Sequence, residues 1–205
     1  VRISFARSAS NPAARPAIAQ ADMMAEAVAS KVATGELDAA IDIADEQRRQ
    51  YPEDLAIQER YQALLLAAGR TERALAQGQA YLALLLRLGR AEQALDLLKR
   101  LRGVDAAFLP ERPDAILPLA EAAFRRRDAD TTVALVRGFD KRHPRHQDIP
   151  GVYFLSARLM SELLRRDPTA LTILRGLQDK YPEHPVTAAA APYLAALEKL
   201  QLGRG

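Results

Sequence analysis

Three prolines in this chain each stand seventeen positions after a residue that opens a turn: Pro52 after Gly35, Pro144 after Arg127, and Pro182 after Arg165. The first such span reads GELDAAIDIADEQRRQYP. Five segments share the turn followed by a helix start: GELDAAI from Gly35, GRTERAL from Gly69, GRAEQAL from Gly89, RDADTTVAL from Arg127, and RDPTALTIL from Arg166. Glycine supplies a positive φ where one helix must end, and Asp or Thr can cap the next. Proline cannot continue that second helix, and it pushes the preceding residue out of helical geometry. Between turn and proline, apolar residues recur at helical spacing: Ala40, Ile41, Ala44 and Tyr51 in one segment, Ala170, Leu171, Leu174 and Leu177 in another. A small residue early in the second helix lets the first approach closely. Such punctuation confines the chain to a succession of helical pairs, written below as helix A and helix B.

Composition agrees. Aromatics are 5% of the 205 residues and tryptophan is absent, while Ala, Leu and Arg, all strong helix formers, abound. An apolar share of 49% with 27% charged residues suits a globular chain with a real core. The net charge of +3 is too small to name a nucleic-acid partner. With no cysteine, disulfides and thiolate metal sites are excluded. The longest apolar run, YLALLL at 81–86, is far short of a membrane span. The chain starts at Val1 rather than Met, which leads us to expect a fragment or processed product, with any targeting segment or anchor outside it.

Gly35 and Gly69 are 34 residues apart, and the units resemble the tetratricopeptide repeat, a 34-residue helix-turn-helix with small residues at set places and a closing proline. The matching positions are Ala27, Val28, Ala40, Ala44 and Pro52 in the first unit. They are Ala120, Thr132, Phe139 and Pro144 in the fourth, and Ala157, Ala170, Leu177 and Pro182 in the fifth. The family's early tryptophan and its helix A tyrosine are missing, so the repeats are divergent. Gly69 and Gly89 are only 20 residues apart, which predicts a fusion or shortening across 71–89, with Gly78 as a possible kink. The resemblance implies an all-α, right-handed superhelix of about five hairpins with a C-terminal capping helix. The divisions expected are an arm or linker at 1–19, repeats one to three over 20–102, and a loop at 103–112. Repeats four and five follow over 113–184, then the cap and tail at 185–205.

No phosphate loop, nucleophile elbow, zinc helix or dinucleotide fingerprint is present, so no enzyme, no small-molecule substrate, no cofactor and no catalytic residue are expected. His143, His146 and Asp148 have a spacing that could hold a metal, but Pro144 and Arg145 stand between, and a solvated turn at a helix end is the favoured reading, with no metal site. Arg125–Arg127 and Arg165–Arg166 could dock an anion. No aromatic interleaves with them as a base-stacking platform would need, so dipole-complementing, solubilising charges are favoured and nucleic acid is not the expected partner. Tyr51 and Tyr181 are read as packing residues between repeats. Tyr61, Tyr81 and Tyr153 are read as core, with groove anchoring as the other option.

In tetratricopeptide proteins helix A builds the concave wall along which peptides lie. Transferring that wall gives Glu59 and Ala63, then Gln79, Ala83 and Arg87, then Leu117, Glu121, Phe124 and Arg125, then Leu155, Arg158, Leu159 and Glu162. Ala25, Ala29, Leu155 and Leu159 occupy places where related domains put a Lys and Asn carboxylate clamp, so a chaperone-tail adaptor is not expected. The function expected is a scaffold binding a protein or peptide of unassigned identity in this groove. The ending KYPEHP at 180–185 looks like repeats of bacterial envelope assembly proteins. That resemblance implies the soluble part of a membrane-anchored or exported chain, in the periplasm rather than the cytoplasm, touching a membrane only through a segment outside this chain. The alternatives are a nucleic-acid-binding or regulatory repeat using the arginines, and an accessory domain of a larger enzyme.

Overall fold

The structure is a computed structural model, describing the backbone of residues 14–202 and the side chains of residues 22–202. Among the described residues it is helical throughout, with no strand. The helices are α1 (Ala14–Ala33), α2 (Leu37–Gln50), α3 (Leu55–Ala67), α4 (Thr71–Arg87) and α5 (Ala91–Val104). A single 3-10 turn at Pro113–Ala115 leads into α6 (Ile116–Arg125), followed by α7 (Ala129–Val136) and α8 (Phe139–Arg142). Then come α9 (Ile149–Arg158), extended by a π turn at Leu159–Leu163, α10 (Asp167–Lys180) and α11 (Pro185–Leu202). None of the described helices is long and apolar enough to cross a membrane.

The five turn residues behave alike. Gly35, Gly69, Gly89, Arg127 and Arg165 all have positive φ, between 57° and 76°. In the first four turns the next amide reaches back five residues to a helix A carbonyl: Glu36 to Lys31, Arg70 to Leu65, Arg90 to Leu85 and Asp128 to Ala123, at 2.8–2.9 Å. This is the closure that satisfies the orphan carbonyls of a helix end. Of the expected caps, Asp128 is in place, its carboxylate accepting from the Thr131 amide at 3.1 Å. The prolines act as stops. Helix B ends at Gln50, Arg142 and Lys180, two residues before Pro52, Pro144 and Pro182.

The chain forms two compact units, with the division between Gln77 and Gly78, inside α4. In the first, Val28, Ala40, Ile41, Ala44, Tyr61, Leu64, Leu65 and Ala74 make the core. Ala40 is fully buried, as the small position early in helix B requires. Ala27 is exposed, and its neighbour Val28 does the packing. Tyr61 and Tyr81 are core residues at 4% and 5% exposure, so neither anchors a groove. α1 already begins at Ala14, inside the stretch whose composition suggested an arm; residues 1–13 lie outside the described residues.

In the second unit the part of α4 from Gly78 onward is followed by α5 through the turn at Gly89. α4 runs unbroken through Gly78. The glycine there makes room rather than a kink, since a Cβ would stand 2.5 Å from Leu101 Cδ1. α5 continues through Gly103 to Val104, so the loop spans 105–112. α6 packs on α5 and α7, and α9 on α10. α11 covers α9 and α10 with Ala190, Leu194 and Leu197, which join Ala157, Ala170, Leu171, Leu174 and Leu177 in one buried cluster.

Candidate functional site

The expected wall residues separate into one cleft and several strays. α6 presents Leu117, Glu121, Phe124 and Arg125 at the i, i+4, i+7, i+8 spacing of a single helix face. α9 with its π turn presents Leu155, Arg158 and Glu162. These residues line a cleft of about 640 Å³. Gly151 lets α6 come close, for a Cβ on it would stand 2.8 Å from Leu117 Cδ2. The Arg158 guanidinium lies 4.7 Å from the centre of the Phe124 ring and donates to Glu162 at 2.9 Å. Arg125 is held from the other side by Glu92 at 3.1 Å. Glu121 is exposed and makes no ion pair among the described residues.

Leu159 was expected on this wall and is not there. It is fully buried, and Arg158 takes the wall position. The cause is one extra residue in helix A. From Ala120 to the turn at Arg127 is seven positions, whereas from Ala157 to Arg165 is eight. The π turn absorbs the addition, and accordingly Arg166 reaches back six residues, to Met160 at 2.7 Å, instead of five. Upstream of the π turn every side chain is therefore rotated by one register step, which turns Leu159 inward and brings Phe154 to the cleft beside Leu155.

Three more expected residues stand apart. Gln79 is engaged with the loop at 105–112, its amide donating to the Leu109 carbonyl and accepting from the Glu111 amide, both at 3.0 Å. Arg87 is exposed at the end of α4. Glu59, half-buried on α3, belongs to the first unit. There Ala25, Ala29, Val32, Ala63 and Ala67 line an apolar hollow of about 480 Å³ with Arg60 at its edge. Sequence spacing missed Phe154, Leu163 and Val186, which also line the cleft. The first shares a face with Arg158 and was within reach of helical arithmetic; the last comes from α11, which no local pattern connects to α6.

The arginine cluster at 125–127 is largely engaged. Arg126 bonds Glu92 at 2.6 Å and also Asp96, so with Arg125 two of the three guanidinium groups are tied to carboxylates of α5. The Arg125 hydrogen bond, with that of Arg126, holds the Glu92 carboxyl below its ordinary range, and Arg126 does the same for Asp96. The histidines serve a turn. His146 Nε2 lies 2.9 Å from Asp114, its Nδ1 accepts from the Asp148 amide at 3.2 Å, and the His143 ring packs at a tilt against Phe139, 5.1 Å between centres.

No protein-family model matches the chain, and no curated protein matches it. Among solved structures, YrrB, a TPR protein with an unusual peptide-binding site, is 12% identical over 80% of this chain and 88% of its own, with a TM-score of 0.42. TTC0263, a thermophilic TPR protein in Thermus thermophilus, is 17% identical over 86% of this chain and 98% of its own, at 0.37. Pseudomonas aeruginosa pilF is 14% identical over 84% and 82%, at 0.43. Likenesses at this level carry no argument, and the repeat character rests on the chain's own positive-φ turns, closing prolines and buried small residues. The chain is built of helical hairpins whose positive-φ turns and closing prolines resemble those of the tetratricopeptide repeat.

Proposed function

We propose that the chain is a non-enzymatic scaffold whose second unit holds a peptide or partner helix in the cleft between α6 and α9. The observation that carries this reading is the pairing of an apolar floor with an unpartnered carboxylate. Leu117 and Phe154, half-buried with Phe124 and Leu155 behind them, offer surface to a bulky apolar side chain, while Glu121 at the edge is free to meet a cation on the same segment. The remaining charges, Arg125, Arg158 and Glu162, are already balanced within the protein and would set register rather than supply affinity. The setting as the soluble part of a bacterial envelope assembly protein rests on the KYPEHP resemblance alone.

Selection of peptides from a random display library against the protein tests the reading. Selected peptides should share a bulky apolar residue flanked by Lys or Arg, and should lose at least tenfold in affinity for Glu121→Lys and for Leu117→Ser. Glu121→Lys should melt like the parent, within about 0.5 kcal/mol, because an exposed unpaired charge contributes little to folding. Peptides that bind both variants as well as the parent would place the binding surface elsewhere.

A further inference from the structure

Two departures from regular repeat geometry in the second unit, with one glycine, surround a cavity that shares no lining residue with the cleft. The first is a broken helix B. In the first and fifth units helix B, α2 and α10, runs unbroken for 14 residues. In the fourth it stops at Val136, turns through Gly138 at φ 63°, and restarts as the four residues of α8. Arg142 holds the break, donating to the carbonyls of Arg137 and Leu135 at 2.5 and 3.2 Å. The second departure is the π turn, which directs Leu159 and Met160 to the same place. The glycine is Gly176 on the regular helix α10, where a Cβ would meet nothing within 4 Å. Together they leave a cavity of about 480 Å³ among α7, α9 and α10, within the size range of small-molecule sites.

Its wall is mostly apolar, with Val133, Val136, Val152, Leu159, Met160 and Ile173 beside Ser156 and Thr172. Its rim is polar and unequal in charge. The one carboxylate there, Asp140, accepts from the Tyr153 hydroxyl at 3.0 Å. Burial, with that hydrogen bond, pushes the phenol up to about 12, so it remains a donor and the carboxylate remains occupied. Arg137 and Lys180, both exposed, have no carboxylate partner among the described residues, and Lys180 Nζ sits 6.0 Å from the Tyr153 ring centre. We infer that this cavity is a second binding site, for a small amphipathic carboxylate whose apolar body enters between α7 and α10 and whose head group meets Arg137 and Lys180. A largely apolar hollow lined at its exposed side by two cations is the arrangement such a ligand requires, since burying the chain drives binding and the cations choose the sign of the head.

The test uses decanoate below its micellar concentration, with decyltrimethylammonium as the same chain carrying the opposite head. By calorimetry and methyl-resolved NMR, decanoate should bind the parent at one site per chain, shifting Val133, Met160 and Ile173. Gly176→Leu fills open space and should weaken decanoate at least tenfold while leaving circular dichroism unchanged. Lys180→Gln together with Arg137→Gln, which leaves the cavity intact, should weaken it by a similar factor. Decyltrimethylammonium should bind at least tenfold more weakly than decanoate. Absence of saturable decanoate binding, equal binding to the filled or the neutralised variant, or equal binding of the cationic chain would each overturn the assignment. Because neither substitution touches Leu117 or Glu121, peptide binding in the cleft can fail without affecting this result.

Discussion

Arg127 and Arg165 adopt the same left-handed backbone conformation, with φ of 58° and 57°, at the position where the other three repeat turns carry glycine. A side chain in that region costs about 1–2 kcal/mol, against roughly 0.5–1 kcal/mol for the extra freedom glycine loses on folding. The strain is retained at both turns, and neither arginine has an ion pair among the described residues to offset it.

Arg165→Gly is therefore expected to stabilise the protein by about 0.5–1 kcal/mol, measured by urea unfolding. The reverse change, Gly35→Ala, introduces a Cβ that meets nothing within 4 Å, so its cost is backbone strain alone. Less the freedom that glycine loses on folding, it should destabilise by about 0.5–1 kcal/mol. A stabilising Gly35→Ala would show that the turn relaxes out of its left-handed conformation.

The packing of α11 makes a second expectation. Leu194 is 7% exposed inside the cluster with Leu171, Leu174 and Leu177, whereas Leu200 on the same helix is 53% exposed. Leu194→Ala should cost about 2–5 kcal/mol, and Leu200→Ala no more than about 0.5 kcal/mol, by thermal or urea melting. Removal of the residues from Pro185 onward would bare that cluster, lowering the melting temperature and promoting aggregation. Equal effects of the two leucine changes would mean that α11 does not cap the repeats.

Acid should unfold the protein from the carboxylate side. Glu92 and Asp96 are held below their ordinary range by the hydrogen bonds of Arg125 and Arg126, and Asp114 by those of His146 and Arg112. For Asp128 burial pushes upward, but the Lys99 hydrogen bond and the Thr131 amide outweigh it. Each folded-state pKa lies below the unfolded value, so the unfolded chain binds more protons and this stability is present above about pH 4. It is lost as pH falls through the folded-state values. Melting temperature should be level from about pH 7 to 5 and fall below about 4. Asp128→Asn, which keeps a competent cap but cannot titrate, should show a shallower acid limb.

What the amino-acid order determined by itself was the punctuation. A glycine with positive φ, a small side chain five residues on and, in three units, a proline that stops the second helix are each local requirements of the chain where they stand. The turns were therefore legible at Gly35, Gly69 and Gly89 from glycine, and at Arg127 and Arg165, as at Gly35, from the proline seventeen residues on, and so was the face of α6 that carries Leu117, Glu121, Phe124 and Arg125. Tertiary packing decided the rest. Whether α4 bends or accommodates Leu101 at Gly78, and whether Gln79 faces a groove or holds the loop at 105–112, depends on partners some 20 to 30 residues away. The same holds for the π turn. One extra residue in helix A can be absorbed anywhere along it, and only the fit of α9 against α6, α10 and α11 places it at Leu159–Leu163, burying Leu159 and bringing Arg158 to the cleft.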